Sequence, residues 1–207
     1  VDRDAVFYQN LWTVRPDGRA SDALYKHHMR APLALRDARS VSGTGKVVAI
    51  ATGHHTFAYG PVVVIDPSHG ANEPGGLRVL TPGIRPQEGA MAGQPVDGGG
   101  VIDAGGLYQT PWALNETTFL AAYAYARPNC TGTAGVDSNG FGLYVIDVFG
   151  NRELLVRDPL LSCTTPIPLS KRPRPPVLNP KETPAPGGER RAVCYVPDVY
   201  EGMDPSV

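Results

Sequence analysis

Cysteine is scarce: three residues in 207, Cys130, Cys163 and Cys194, stand far apart. No Cys-x-x-Cys or Cys-x-x-Cys-His spacing occurs, so the chain forms no cysteine zinc site and attaches no c-type haem itself. An odd number of thiols also cannot all pair within the chain. Charge is sparse too, at 19%, with 19 basic and 20 acidic side chains and a formal net charge of −1. That balance excludes both a polybasic nucleic-acid surface and an acidic disordered tail. No apolar run approaches the roughly 18 residues of a bilayer-spanning helix, so no membrane span is expected. His-Glu-x-x-His, Gly-x-Ser-x-Gly, a P-loop and a Gly-x-Gly-x-x-Gly after a strand are all missing. Asp97-Gly98-Gly99-Gly100 lacks the Lys-Ser/Thr of a phosphate cradle. A self-contained hydrolase therefore ranks last among the readings. The chain opens on Val1 with the strand-like Ala5-Val6-Phe7-Tyr8 close behind. It reads as a segment of a longer protein, whose compartment it does not disclose.

Glycine and proline are plentiful. With 24 and 21 residues they make up about a fifth of the chain, against roughly 12% in an average protein, which excludes long helices. Self-comparison then reveals a repeat. Leu11-Trp12-Thr13-Val14-Arg15-Pro16-Asp17-Gly18, Val62-Val63-Val64-Ile65-Asp66-Pro67-Ser68-His69-Gly70 and Leu143-Tyr144-Val145-Ile146-Asp147-Val148-Phe149-Gly150-Asn151 are apolar runs ending in a turn with Gly. Each reads as a strand entering a tight hairpin. A further apolar run follows the later two copies, at 77–81 and 153–157, and another precedes them, at 46–51 and 118–123. The expected unit is strand, long loop, strand, tight turn, strand. Recurrence of small antiparallel sheets points to an all-β fold, a β-propeller segment of several blades incomplete at both ends. A β-sandwich also explains the strands, but not why the Asp-containing hairpin returns.

The expected organisation has three parts. Residues 1–34 close a preceding blade and connect onward. Residues 35–165 hold two blade repeats with a long Gly-, Pro- and Ala-rich loop at 83–106, and 166–207 form a Pro-rich extended segment and the start of a following strand. The densest proline run, Lys171-Arg172-Pro173-Arg174-Pro175-Pro176, suits a linker or draped outer strand better than a docking peptide.

Chemistry-bearing residues concentrate in Gly53-His54-His55-Thr56-Phe57-Ala58-Tyr59-Gly60. Adjacent histidines on extended backbone point to opposite sides, so only one of His54 and His55 faces a given site. His55 and Tyr59 are four apart and could reach one metal or haem face from a loop, imidazole and phenolate both being iron ligands. A backbone-bonded loop histidine and a packed tyrosine explain the same spacing. Leu24-Tyr25-Lys26-His27-His28-Met29-Arg30 reads as a solvated basic turn, and Cys163 as a small buried residue. Asp97 and Asp103 are loop carboxylates.

The ordered set 53–67, Pro111-Trp112-Ala113-Leu114, Gly142 to Leu155, Cys163-Thr164-Thr165-Pro166-Ile167-Pro168-Leu169 and Arg172-Pro173-Arg174-Pro175-Pro176 resembles the middle domain of the hydrazine synthase alpha subunit and its relatives in planctomycete-type bacteria. The resemblance spans roughly Leu35 to Tyr200. It implies a β-propeller within a large, extracytoplasmic, haem-associated protein whose c-type haem is attached outside this segment. In that family the middle domain lends a tyrosine and a nearby histidine to a haem site where nitric oxide and ammonium-derived nitrogen are joined. The matching positions are Tyr59 as cofactor-binding residue and His55 as catalytic residue, with Asp103 preferred over Asp97 as the acidic neighbour. The implied partners are haem-bearing domains of the same protein and other subunits of a redox complex. An oxidoreductase activity would belong to that larger multihaem protein and not to this segment alone. Since fold similarity does not transfer activity, a TolB-like or WD-like interaction scaffold is the alternative.

Overall fold

A computed structural model describes residues 9–16, 18–53, 58–86, 107–125 and 140–171, all within a compact unit that runs from Val1 to Arg172. These residues form three antiparallel sheets and almost no helix. The first is a ribbon of β1 (Leu11–Thr13) and β2 (Asp22–Tyr25). The second runs in chain order as β3 (Ala34–Ser40), β4 (Val47–Thr52), β5 (Val62–Ile65) and β6 (Leu77–Val79). The third repeats that order as β7 (Leu107–Ala113), β8 (Thr118–Ala124), β9 (Phe141–Asp147) and β10 (Arg152–Val156).

The β4 run Val47-Val48-Ala49-Ile50-Ala51 is apolar throughout because both of its faces are covered. Side chains alternate across a strand. Val48 and Ile50, with Val62 of β5, turn towards the β7–β10 sheet and join Phe119, Ala121 and Tyr144 in one core. Ala49 and Ala51, with Val63 and Ile65, turn the other way and pack with Leu11 and Tyr25 of the ribbon. The β3–β6 sheet is thus held between the ribbon and the β7–β10 sheet. Polar links lie at the margins of that stack: Lys46 Nζ reaches Glu116 at 2.7 Å, and Arg78 donates to the Val148 carbonyl at 3.3 Å.

The runs expected at 46–51, 62–65, 77–81, 118–123, 143–147 and 153–157 all form strands, and each expected hairpin pair is antiparallel. Two features depart from the sequence reading. Each large sheet has a fourth strand, β3 or β7, ahead of the expected three. The β5–β6 connection is not a tight turn, since two 3-10 turns at Pro67–His69 and Pro74–Gly76 fill it. The β9–β10 turn is tight, with Gly150 at φ 95°. In both connections the recurring aspartate caps the turn. Asp66 accepts from Ser68 N at 3.1 Å, and Asp147 accepts from Phe149 N at 2.9 Å and Asn151 N at 3.0 Å.

The Asn151 amide, followed by backbone N–H groups of the turn, holds the Asp147 carboxyl below its ordinary value. A carboxyl with a depressed folded pKa contributes stability that is present above the unfolded pKa and lost as pH falls through the folded one. Asp147→Ala should therefore loosen the β9–β10 hairpin and flatten the acid limb of the stability profile below about pH 4. Thermal melts of the two proteins from pH 2 to 6 check this. Parallel acid limbs would show the carboxylate to be idle.

Candidate functional site

Of the residues selected from the sequence, Tyr59 is described, whereas His55, His54, Asp97 and Asp103 lie outside the described residues. Tyr59 sits just before Gly60, which exchanges two backbone hydrogen bonds with Tyr108, N to O at 3.0 and 3.1 Å. That exchange stitches the approach to β5 onto β7 of the neighbouring sheet. The half-buried Tyr59 ring packs beside Ala122, Ala124 and Leu143 and lies 5.1 Å from the Phe141 ring, tilted by 42°. Among the described residues no three His, Cys, Asp or Glu side chains are grouped to hold a metal ion. Cys163 carries a free thiol and is half-buried.

The sequence reading did not find a tyrosine and arginine cluster on the face of the β7–β10 sheet that meets β3–β6. Tyr108 and Tyr123 are register partners with ring centroids 4.6 Å apart, and Tyr144 stands 5.4 Å from Tyr123. The Arg152 guanidinium lies 4.0 Å above the Tyr123 ring and donates to the Tyr108 hydroxyl at 3.3 Å. A cation over a phenol face is attractive. Here it fastens the otherwise exposed outer strand β10 to the sheet. Burial pushes the Tyr108 phenol above its ordinary value, against the opposing pull of Arg152. Burial likewise raises Tyr144, with the neighbouring Tyr125 phenol adding to the rise and Arg157 opposing it. The signal available in the sequence was period-two alternation of Phe119, Ala121 and Tyr123 with Tyr144 and Ile146, which marks a shared face but not the arginine over it.

The turn at 25–28 corrects the solvated-turn expectation. Tyr25 and Lys26 are both fully buried. Tyr25 OH donates to the Glu73 carbonyl at 2.7 Å, Lys26 N donates to the Ala71 carbonyl at 2.7 Å, and His28 N to Asn72 Oδ1 at 2.7 Å. The segment is docked against the β5–β6 connection. Only His27 and His28 retain an outward place, their rings 4.6 Å apart, with His27 Nδ1 accepting from the Asn10 amide at 3.0 Å. Desolvation lowers the Lys26 amine to about 8.

A third group of polar residues lies on the first strands of the two large sheets, β3 and β7. Both β3 and β7 break register at one point, between Arg36 and Arg39 and between Gln109 and Trp112. Inside each break sits a non-glycine residue with left-handed backbone, Asp37 at φ 53° and Thr110 at φ 49°. Such conformations persist only where the surroundings over-determine them. Here Thr110 N donates to Asp37 Oδ2 at 3.1 Å, and the Arg39 guanidinium covers the Trp112 ring at 4.6 Å.

These features define an all-β protein of repeated antiparallel sheets. No protein-family model, no curated protein and no solved structure matches the chain.

Proposed function

We propose that the chain is a run of β-propeller blades forming the packing domain of a larger haem-associated, extracytoplasmic protein of the hydrazine-synthase-alpha type. The observation that carries the blade reading is the recurrence of one four-strand meander with the same facing. Val63 and Ile65 of the first large sheet turn to the ribbon before it, and Tyr144 and Ile146, at matching positions ahead of the hairpin aspartate, turn to the sheet before theirs. Radial stacking of meanders all presenting the same side is how propellers bury successive blades. The haem association rests on the motif resemblance. In it the c-type haem is attached outside this segment, the domain packs on haem-bearing domains, and Tyr59 with His55 faces a haem. Asp103 supplies the acidic neighbour.

The experiment is to produce the protein from its complete reading frame and record its haem spectrum before and after Tyr59→Phe. Covalent haem with a high-spin signal altered by the substitution is the expected result. Haem with an unaltered spectrum would restrict Tyr59 to packing, and a haem-free protein would overturn the association. The second reading is a propeller used only as an interaction scaffold. It is favoured by one observation, that the Tyr59 ring is already engaged against Phe141 between two sheets.

A further inference from the structure

Strand β10 breaks register between Leu154 and Val156, so Leu155 is an extra residue with no partner of its own on β9. In an unbroken strand Arg152 and Arg157, five apart, would point to opposite faces of the sheet. The bulge brings them to the same one. The Arg152 guanidinium lies 5.7 Å from the centre of the Tyr125 ring, and the Arg157 guanidinium lies 5.0 Å from the centre of that ring too. Bulges re-aim side chains in this way beside functional sites. Gly142, the register partner of Tyr123, leaves the room that Arg157 uses: a Cβ there would stand 3.3 Å from both the Cβ and the Nε of Arg157.

The two guanidinium groups are fixed in place but not neutralised. Arg152 rests on the buried Tyr123 and Tyr108, and Arg157 donates to the Gly140 carbonyl at 3.3 Å. Among the described residues neither has a carboxylate partner. The acids nearest in sequence are placed elsewhere: Glu153 belongs to the other face by strand alternation, and Asp158 accepts from Leu160 N at 2.7 Å and Leu161 N at 3.0 Å. Burial holds the Tyr108 and Tyr144 phenols above their ordinary value, so they stay protonated near neutral pH and offer no counter-charge. A guanidinium has five N–H donors, and each of these spends one in the bonds above, so most of both forks is open to a ligand. Both arginines are exposed, as is the Tyr125 ring beside them.

We propose that Arg152, Arg157 and Tyr125 form a binding site for a small phosphate monoester that carries a planar ring. Such an ester has close to two negative charges at pH 7, which matches two unneutralised guanidinium groups, and its oxygens suit the planar fork of arginine. An anion between the arginines also removes their mutual repulsion. The ester's ring packs on the exposed Tyr125 ring. Tyr108 and Tyr123 are positioning residues that hold Arg152. The site uses none of Tyr59, His55 and Asp103, so it goes beyond the reading above, and a haem-free protein leaves it standing.

Calorimetric titration of the full chain with phenyl phosphate tests the proposal, with inorganic phosphate and phenol as partial probes. Phenyl phosphate should bind about tenfold more tightly than either, and its affinity should fall as salt is raised. Arg157→Gln should weaken binding by about tenfold or more, and Arg157→Lys, which keeps the charge but not the fork, should recover only part of the loss. Tyr125→Ser should abolish the advantage of phenyl phosphate over inorganic phosphate. Lys171→Gln, which removes an exposed charge outside the cluster, should bind as the parent does. Arg157 and Tyr125 are exposed, and thermal melts check that their variants stay folded. No binding of phenyl phosphate at millimolar concentration would overturn the site, as would an affinity indifferent to both Arg157→Gln and Tyr125→Ser.

Discussion

Gly60→Ala is expected to destabilise the protein by about 3 kcal/mol or more, a larger effect than truncating most single core side chains by one methyl. The reason is geometric. A Cβ at Gly60 would run into the backbone carbonyl oxygen of Ala51, with the carbonyl carbon itself only 3.1 Å away. Backbone in the middle of a sheet cannot give way as the tip of a flexible side chain can. Relief requires either moving β4 away from the approach to β5 or breaking the two bonds that Gly60 exchanges with Tyr108. The first opens the register in which Ala51 N donates to the Pro61 carbonyl at 3.1 Å, and the second parts the two large sheets. Gly45→Ala is the control, because nothing stands within 4 Å of its added Cβ. Urea unfolding of both variants decides the matter. Equal midpoints for Gly60→Ala and Gly45→Ala would show that the junction between the sheets tolerates what its geometry forbids.

Raising the pH should strengthen the fold between about 8 and 10.5, and Lys26 is the cause. Burial lowers its folded pKa to about 8, whereas the unfolded chain has the ordinary value of 10.5. Within that window the unfolded state binds the extra proton, so stability rises with pH. Below the window both states are protonated, and the native state carries the desolvation cost of an enclosed ammonium. A shift of this size corresponds to about 3 kcal/mol for a fully desolvated amine, and screening near the surface turn brings the expected gain to the order of 2 kcal/mol. Lys26→Met should abolish the rise and equal the high-pH stability of the parent already at pH 7. Melting temperatures at intervals from pH 6.5 to 10 measure it. A parent protein whose stability stays level or declines through the window, with Lys26→Met following the same course, would refute the assignment.

The strands legible in the sequence are those whose two faces carry a simple demand. In β4, β5 and β8 nearly every residue is apolar, and the long run of β9 ends at the capping Asp147. The first strands of the two large sheets, β3 and β7, were not legible. β3 reads Ala-Leu-Arg-Asp-Ala-Arg-Ser, and β7 contains Pro111, a residue that sequence rules demote from a strand interior. Both are strands because a left-handed residue absorbs the break and because the neighbouring sheet supplies bonding partners, information that no local window contains. The same limit applies to Lys26. Its neighbours Asn72 and Ala71 are distant in the chain, so a turn that looks basic and wet by composition is enclosed by the β5–β6 connection. For the candidate site, the placement of Tyr59 against Phe141 depends on a strand that begins some 80 residues later. The arginine over Tyr123 comes from the outermost strand, reached only after two reversals of the chain.

The outer strand β10 has a consequence for behaviour at high concentration. Leu154, Leu155 and Val156 are all about half exposed on the last strand of their sheet, next to the protruding Phe149, Leu160 and Leu161. A free strand border with three adjacent branched apolar residues is a template on which strands of other molecules can assemble. Arg152 and Glu153 stand at one end of that triplet and Arg157 at the other. In a parallel, in-register stack each of these charges would meet its own copy, so the flanking charges act as gatekeepers for the run between them in that arrangement. The arginine that clamps β10 to its own sheet is thus also one of the groups that keeps such a stack from growing on it.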